Sequence, residues 1–210
     1  MSQIHATGTH DAHYRAERAT ITASVSVASK DRGRSITDAT TLHNSIAQRA
    51  QQLRDAGDAT WHAADAPSTW ARKSYAEGAG QQVVIEHVTS SRVRIKLSNL
   101  DQVGPLVEEL SVAGAETSVH WSLTEASRRL CERQARRAAV GTAREIAEDY
   151  AEALGEQIVR VVSISDVLAA GFGGPQPRFA MAASYGGESA EVSVAEITVS
   201  ATVQGVFESA

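Results

Sequence analysis

The sequence predicts a fold that combines helices with a β-sheet. Apolar residues alternate with polar ones near both ends of the chain, at 21–27 and 197–203, as in strands with one buried face. Apolar residues three or four positions apart at 39–53 indicate an amphipathic helix. A third segment, about 123–154, predicts one long helix whose buried face is mostly alanine.

Capping and turn residues give the remaining boundaries. Ser35 or Thr37 is expected to begin the first helix and Gly57 to end it, while Ser122 and Glu125 have capping-box spacing before the long helix. The predicted elements are a strand at 19–29, a helix to 57, short strands within 58–82, two β-rich runs around Ser90–Ser91 within 82–97, a helix at 98–114, a strand at 116–123, the long helix, and strands at 157–167 and 194–207.

The first residues and one internal segment differ from the rest in composition. Residues 1–18 are polar and carry three histidines, so we expect a flexible N-terminal arm. One domain is expected to cover 19–208, and a Gly/Pro-rich loop interrupts it at 171–190.

Bulk composition limits the classes of partner. With 20 basic and 25 acidic residues the formal net charge is −5, which argues against a nucleic-acid partner. No segment approaches the ~20 apolar residues of a membrane span, and the N-terminus has no secretory apolar run. We therefore expect a cytoplasmic protein without a cofactor.

The long helix and the strand after it resemble the SIMPL-domain family. The residues that carry the resemblance are Ala135, Ala138, Ala143, Ala147, Ala151, Leu154, Gly155, Ile158, Val161 and Ile164. The resemblance covers about 19–208 and implies an α+β fold, with helices packed on a mainly antiparallel sheet. It also implies ring- or channel-like homo-oligomers and a role in oxidative-stress defence. Exported members of the family make the periplasm or cell envelope the alternative location, and the resemblance supplies no catalytic residues.

The apolar residues of the two halves of the long helix lie on different faces. The apolar residues of the second half are expected to face the sheet, where small side chains allow close approach; they are Ala139, Ala143, Ile146, Ala147, Tyr150 and Leu154. In the first half Leu123, Ala126 and Leu130 lie on another face, so we expect the helix to bend or to leave the domain body there.

Four arginines of the first half form the predicted oligomer interface: Arg129, Arg133, Arg136 and Arg137. The helix is basic first and acidic later, an order that the helix dipole disfavours. The arginines are therefore expected to dock on an acidic surface of a neighbouring subunit. The alternative is a solvated face whose ion pairs contribute little.

Two further sites are considered. His5, His10 and His13 could bind a divalent metal, although their spacing matches no defined motif. The glycine-rich segment 171–187 could bind a small molecule or a protein partner. Four aromatic residues are interpreted as core or interface anchors: Trp61, Trp70, Tyr75 and Trp121.

The chain contains none of the common catalytic signatures, such as G-x-S-x-G, H-E-x-x-H or a Walker loop. The sequence therefore favours a non-enzymatic, self-assembling protein with a scaffolding, protective or interaction role linked to stress. A small-molecule or metal-binding module is the alternative, and a hydrolase or redox enzyme without a recognisable motif is a third hypothesis.

Overall fold

The computed structural model describes residues 2–75, 83–166 and 192–210. Its elements are β1 (Ser2–Arg15), β2 (Arg18–Ser29), α1 (Arg32–Asp55), β3 (Ala59–Ala64), β4 (Ser68–Tyr75), β5 (Val83–Leu97), a 3-10 turn (Leu100–Gln102), α2 (Val103–Val112), β6 (Glu116–Ser122), α3 (Glu125–Ala153), β7 (Ile158–Asp166) and β8 (Glu196–Ser209). Strand pairing is antiparallel throughout the described sheets. The α+β class and the mainly antiparallel sheet are confirmed.

The chain divides into two compact units. Within the described residues, the terminal unit contains 2–16, 123–166 and 195–210, and the central unit contains 17–75, 83–122 and 192–194. Each unit has its own sheet, in the order β1-β8-β7 for the terminal unit and β3-β5-β2-β6, with β4 also on β5, for the central unit.

The N-terminal residues are part of the terminal sheet, so the prediction of a flexible arm is wrong. They form β1, which pairs with β8 over its whole length, from Ser2 opposite Ser209 to Arg15 opposite Glu196. Ile4, Ala6 and Gly8 alternate on the face that is buried against α3. The polar residues between them point away from the helix, which is why the segment reads as polar in the sequence.

The alanine face of α3 packs directly on the backbone of this sheet. Its buried residues recur at every fourth position from the second turn to the C-terminal end of the helix: Cys131, Ala135, Ala139, Ala143, Ala147 and Ala151. At Gly8 of β1 an added methyl group would overlap the carbonyl oxygen of Ala139 and lie 2.9 Å from the Cα of Ala143. Alanine on the helix and glycine on the strand therefore allow a close approach that larger side chains would prevent.

Three details of the predicted helix are wrong. It begins after Thr124, whose side chain accepts a hydrogen bond from the Ser127 N–H, and not at Ser122. Its sidedness does not change midway, because the buried row is continuous. Tyr150 and Leu154 are 55% and 63% exposed. The residues that face the sheet are Ala147 and Ala151, and Tyr150 and Leu154 each lie three residues after one of them, to the side of the buried face.

The residues that follow α3 form hydrogen bonds with both ends of the described chain. Gln157 and Ala210 exchange backbone hydrogen bonds of 2.9 and 3.0 Å. The Glu156 carboxylate accepts hydrogen bonds from the Ser209 hydroxyl at 2.6 Å and from the Ser2 hydroxyl at 3.1 Å. The Ser209 hydrogen bond in particular lowers the pKa of Glu156, because it stabilises the ionised carboxylate.

The hydrogen bonds of Glu156 predict that the stability of the terminal unit decreases at acidic pH. A carboxyl whose pKa is lowered by folding contributes stability above its unfolded value, about 4.3, and loses it as the pH falls through the folded value. Replacing Glu156 with Gln should therefore lower the urea midpoint at pH 7, and the difference between the two proteins should shrink as the pH falls below about 4.3. A difference between the two midpoints that stays constant from pH 7 to pH 3 would contradict the ionic contribution.

The central sheet is covered on one face by α1 and α2, which Arg49 and Glu109 link by an ion pair of 3.0 Å. Asp31 caps α1 by accepting from the Arg34 N–H at 2.8 Å, so the predicted caps Ser35 and Thr37 are wrong. Ser35 is instead buried inside α1, where its hydroxyl donates to the Val27 carbonyl. The two β-rich runs predicted around Ser90–Ser91 are one continuous strand, β5.

One buried histidine has a partner that the sequence did not reveal. His43 Nδ1 on α1 lies 2.9 Å from the Ser91 hydroxyl on β5, and both residues are buried. Ser91 shares the buried face of β5 with Val93 and Ile95. The contact therefore satisfies two polar groups between α1 and the sheet, as buried polar groups require.

Candidate functional site

The four arginines of the predicted interface all lie on α3 and are all exposed. Arg129 is engaged within the helix, since its Nε donates to Glu125 at 2.9 Å one turn earlier. Two neighbouring arginines are paired in the same way, Arg128 with Glu132 at 3.2 Å and Arg144 with Glu148 at 2.7 Å. Such exposed pairs contribute little stability.

The other three arginines have no such partner. Within the part of the chain that the structure describes, Arg133, Arg136 and Arg137 form no ion pair, and neither do the acidic residues Glu145 and Asp149 later on α3. These five charges on α3 are therefore without an ion-pair partner among the described residues.

A second exposed surface lies on β7, the edge strand of the terminal sheet. Four of its aliphatic side chains are 42–56% exposed: Val159, Val161, Val162 and Ile164. The helix packs mainly on β1 and β8 and reaches β7 only at its margin, so it leaves these side chains uncovered. The register of β7 on β8 shifts between Ile158 and Arg160 and again between Val161 and Ser163, so Val159 and Val162 lie at irregularities that interrupt the alternation of the strand.

The sequence predicted this strand but not its exposure. Apolar residues at adjacent and alternate positions, as in 158–164, are typical of a strand buried on both faces. A pattern of this kind does not tell an edge strand from a central one. The information that separates them is the strand order, which puts β8 between β1 and β7.

The three histidines of the predicted metal site share β1 but do not converge. His5 and His13 are on the face that points away from α3, about 27 Å apart along an extended strand. His10 lies on the opposite face, and His13 Nδ1 is 3.1 Å from the Thr198 hydroxyl. Among the described residues no group of three or more metal-binding side chains comes together.

Two of the aromatic residues lie on the face of the central sheet that points away from α1. Trp61 and Trp70 are exposed, while Trp121 is buried as a core residue and the side chain of Tyr75 lies outside the described set. The Arg94 guanidinium lies 5.8 Å from the Trp61 ring centre and donates to Asp65 at 3.0 Å. These contacts fix Arg94 on the sheet surface.

Two shallow grooves accompany these surfaces. One, of about 290 Å³, lies where β3 gives way to β4 and is lined mainly by hydroxyl groups, with Asp65 and Arg92 at its rim. The other, of about 540 Å³, lies at the end of α3 and is lined by Glu148, Glu152 and Glu156. The first groove also includes Ser91, whose hydroxyl lies 2.9 Å from His43 Nδ1. Both of these residues are only 8% exposed, and the other serines of the lining lie on the opposite face of the sheet.

Two predictions from the sequence remain, one about the glycine-rich segment and one about membrane spans. The segment 171–187, proposed from the sequence as a binding loop, lies outside the described residues. None of the helices in the described part is long and apolar enough to cross a membrane.

Comparison with known proteins gives a family and no activity. The SIMPL family, described as "Protein of unknown function (DUF541)", matches residues 4–207. No curated protein matches the chain. A structure from methicillin-resistant Staphylococcus aureus, described as a "putative aminohydrolase", aligns at 14% identity over 55% of this chain and 30% of that chain, with a TM-score of 0.24. A likeness this small carries no argument.

The family match begins within β1, so the residues that were predicted to be an arm are part of the domain. It also ends within β8, the strand that pairs with β1. The family that the alanine helix suggested is thereby confirmed: the chain belongs to the SIMPL family of proteins of unknown function.

Proposed function

We propose that this protein is a non-enzymatic, self-assembling SIMPL-domain protein, whose homo-oligomer has a scaffolding, protective or interaction role linked to stress. The observation that carries the proposal is the aliphatic edge of β7. Four half-exposed aliphatic side chains form an apolar surface on β7, and no other strand of the described residues pairs with its outer side. Edges of this kind are templates for pairing with another chain, and covering them removes apolar area from water.

The opposite edge of the same sheet supports self-assembly over aggregation. β1 is also an edge strand, but its exposed residues are polar, among them Gln3, His5 and Asp11. A sheet with one apolar and one polar edge has a single preferred site for pairing. We infer that a second copy of the chain covers β7.

The non-enzymatic part of the proposal is supported by how the histidines are used. His43 and Ser91 form a buried hydrogen bond, and His13 contacts an exposed threonine. A hydrolytic site needs a nucleophile that is beside its base and accessible in a pocket for substrate. Ser91 is beside its histidine but only 8% exposed, and the His13–Thr198 pair lies on a strand face that borders neither of the two grooves.

Charge placed on β7 should prevent assembly. Replacing Val161 and Ile164 together with Lys keeps two half-exposed positions solvated in the monomer, but would bury ammonium groups in the oligomer. We expect native mass, measured by light scattering after gel filtration, to fall from an oligomer to a smaller species. The circular dichroism spectrum should not change.

The matched control uses the other face of the same strand. Ser163 and Ser165 are also exposed, and their replacement by Lys adds the same charge without removing aliphatic surface. If the control dissociates to the same extent, assembly responds to charge and not to the apolar edge. A wild-type protein that is monomeric at all concentrations would refute the proposed function.

A further inference from the structure

On the outer face of α3, charged residues lie at equal distances before and after Gly141, with basic residues before it and acidic residues after it. The residues two positions after each buried residue lie about 200° around the helix, on the side away from the sheet. In order, this outer row is Arg133, Arg137, Gly141, Glu145 and Asp149, and all five are exposed. Two arginines thus precede Gly141 by four and eight residues, and two acids follow it by the same intervals.

The whole helix follows the same division. Residues 125–140 contain five arginines and two glutamates, a net charge of +3, and residues 142–153 contain one arginine and four acids, a net charge of −3. An antiparallel second copy of α3 would therefore place the basic half of each helix on the acidic half of the other. A parallel copy would place like charges together, so the charges select the antiparallel arrangement.

Within one chain this arrangement is unfavourable. Arg133 and Arg137 are one turn apart, as are Glu145 and Asp149, and like charges at this spacing destabilise a helix. The basic-to-acidic order also opposes the helix dipole. These four charged residues have no ion-pair partner in the described structure, whereas Arg128, Arg129 and Arg144 do. Because this charge arrangement destabilises the helix within one chain, it suggests that a partner outside the chain pairs with these charges.

Gly141 provides the place where two helices could cross. Glycine is a poor helix former, and an added methyl group here would meet no atom of the described residues within 4 Å beyond the helix's own nearby backbone. Packing within the described part of the chain therefore does not require glycine at this position. At the centre of a helix pair, however, a missing side chain lets the two backbones approach closely. The glycine and the charge reversal coincide at one residue.

We propose that two copies of the chain pair through the outer row of α3, antiparallel and with two-fold symmetry about Gly141. Arg137 then pairs with Glu145 of the second copy and Arg133 with Asp149 of the second copy, and symmetry repeats both contacts. This inference rests on the proposed self-assembly and adds a second contact to it, separate from β7. Two of the four arginines predicted from the sequence, Arg133 and Arg137, thereby acquire acidic partners.

Complementation between two variants tests the pairing. The first variant, Arg133→Glu with Arg137→Glu, opposes acids to acids, and the second, Glu145→Arg with Asp149→Arg, opposes bases to bases. Each alone should weaken self-association about a hundred-fold or more, since like charges face each other at four contacts. Mixed in equal amounts they should associate with each other, because every contact is again between opposite charges.

The experiment is best done in the Val161→Lys, Ile164→Lys protein, in which the helix contact is expected to remain as a dimer. Analytical ultracentrifugation gives the association constant, and circular dichroism verifies the helix. Arg128→Glu with Arg136→Glu makes the same change in net charge away from the outer row and should leave the dimer intact. Gly141→Leu, whose Cβ would meet no atom of the described residues within 4 Å outside the nearby helix backbone, should abolish the dimer without any change in charge.

The outcomes separate the two proposals. Restored association in the mixture, with both controls as expected, supports the two-fold helix pair. If the wild-type protein assembles but neither charge variant changes its mass, the helix pair is refuted while assembly through β7 stands. Dissociation by the off-row control also refutes the specific pairing. A monomeric wild type refutes both.

Discussion

Replacing Gly8 with Ala should destabilise the terminal unit by about 3 kcal/mol, the upper end of what overpacking a core costs. The added methyl group would overlap the Ala139 carbonyl oxygen and the Ala143 backbone nitrogen of α3. Because these are backbone atoms of a long helix, no side-chain rotation can make room. The helix would have to move away from the sheet, and its alanine contacts would be lost along the row. The urea midpoint, followed by circular dichroism, measures the loss.

Gly141 provides the matched control, since it adds the same methyl group to the other side of α3. No atom of the described residues outside the nearby helix backbone lies within 4 Å of that methyl group, and the backbone is ordinary helix. In the dissociated chain, at concentrations below those that favour self-association, Gly141→Ala should therefore raise stability by up to about 1 kcal/mol. Opposite signs for the two substitutions would show that close packing decides the result. If Gly8→Ala costs less than about 0.5 kcal/mol, β1 does not pack on α3 as described.

The sequence predicted most elements of the fold because their periodicity is local. β2, α3 and β8 lie close to their expected ranges, since each alternates or repeats apolar residues in the manner of its secondary structure. β1 was missed because its buried face consists of one isoleucine, an alanine and a glycine, with no strong apolar signal. Its partner, β8, is almost two hundred residues away, so pairing of the two termini could not be read from either one.

The candidate surfaces were predicted less well than the elements. The arginines of α3 were correctly placed on a helix, but the change of sidedness inferred around them was wrong. The error came from using the larger apolar residues, such as Leu130, Tyr150 and Leu154, to define the face of each half of the helix, whereas all three are exposed. Alanine, not the larger apolar residues, marks the buried row, because only small residues fit against the sheet backbone.

An alanine helix contributes little apolar area, so the core of the terminal unit must gain its stability from a few larger side chains. That core contains four alanines of α3 together with Ile4, Ala6, Val203 and Phe207. Phe207 on β8 is the largest fully buried side chain of the described structure, and its backbone pairs with Ile4 of β1 and with Val161 of β7. A single aromatic ring thus fills the space between all three strands and the helix.

Replacing Phe207 with Ala should therefore cost about 3–5 kcal/mol, the largest loss expected for any one truncation here. The side chains of the neighbouring alanines are too short to fill the cavity, so little relaxation is expected. Phe207→Leu retains most of the volume and should cost no more than about 1.5 kcal/mol. Hydrogen exchange should show the loss first in α3, β1 and β8, because these elements surround the ring. Equal destabilisation by Ala and Leu would mean that ring shape, and not filled volume, stabilises this core.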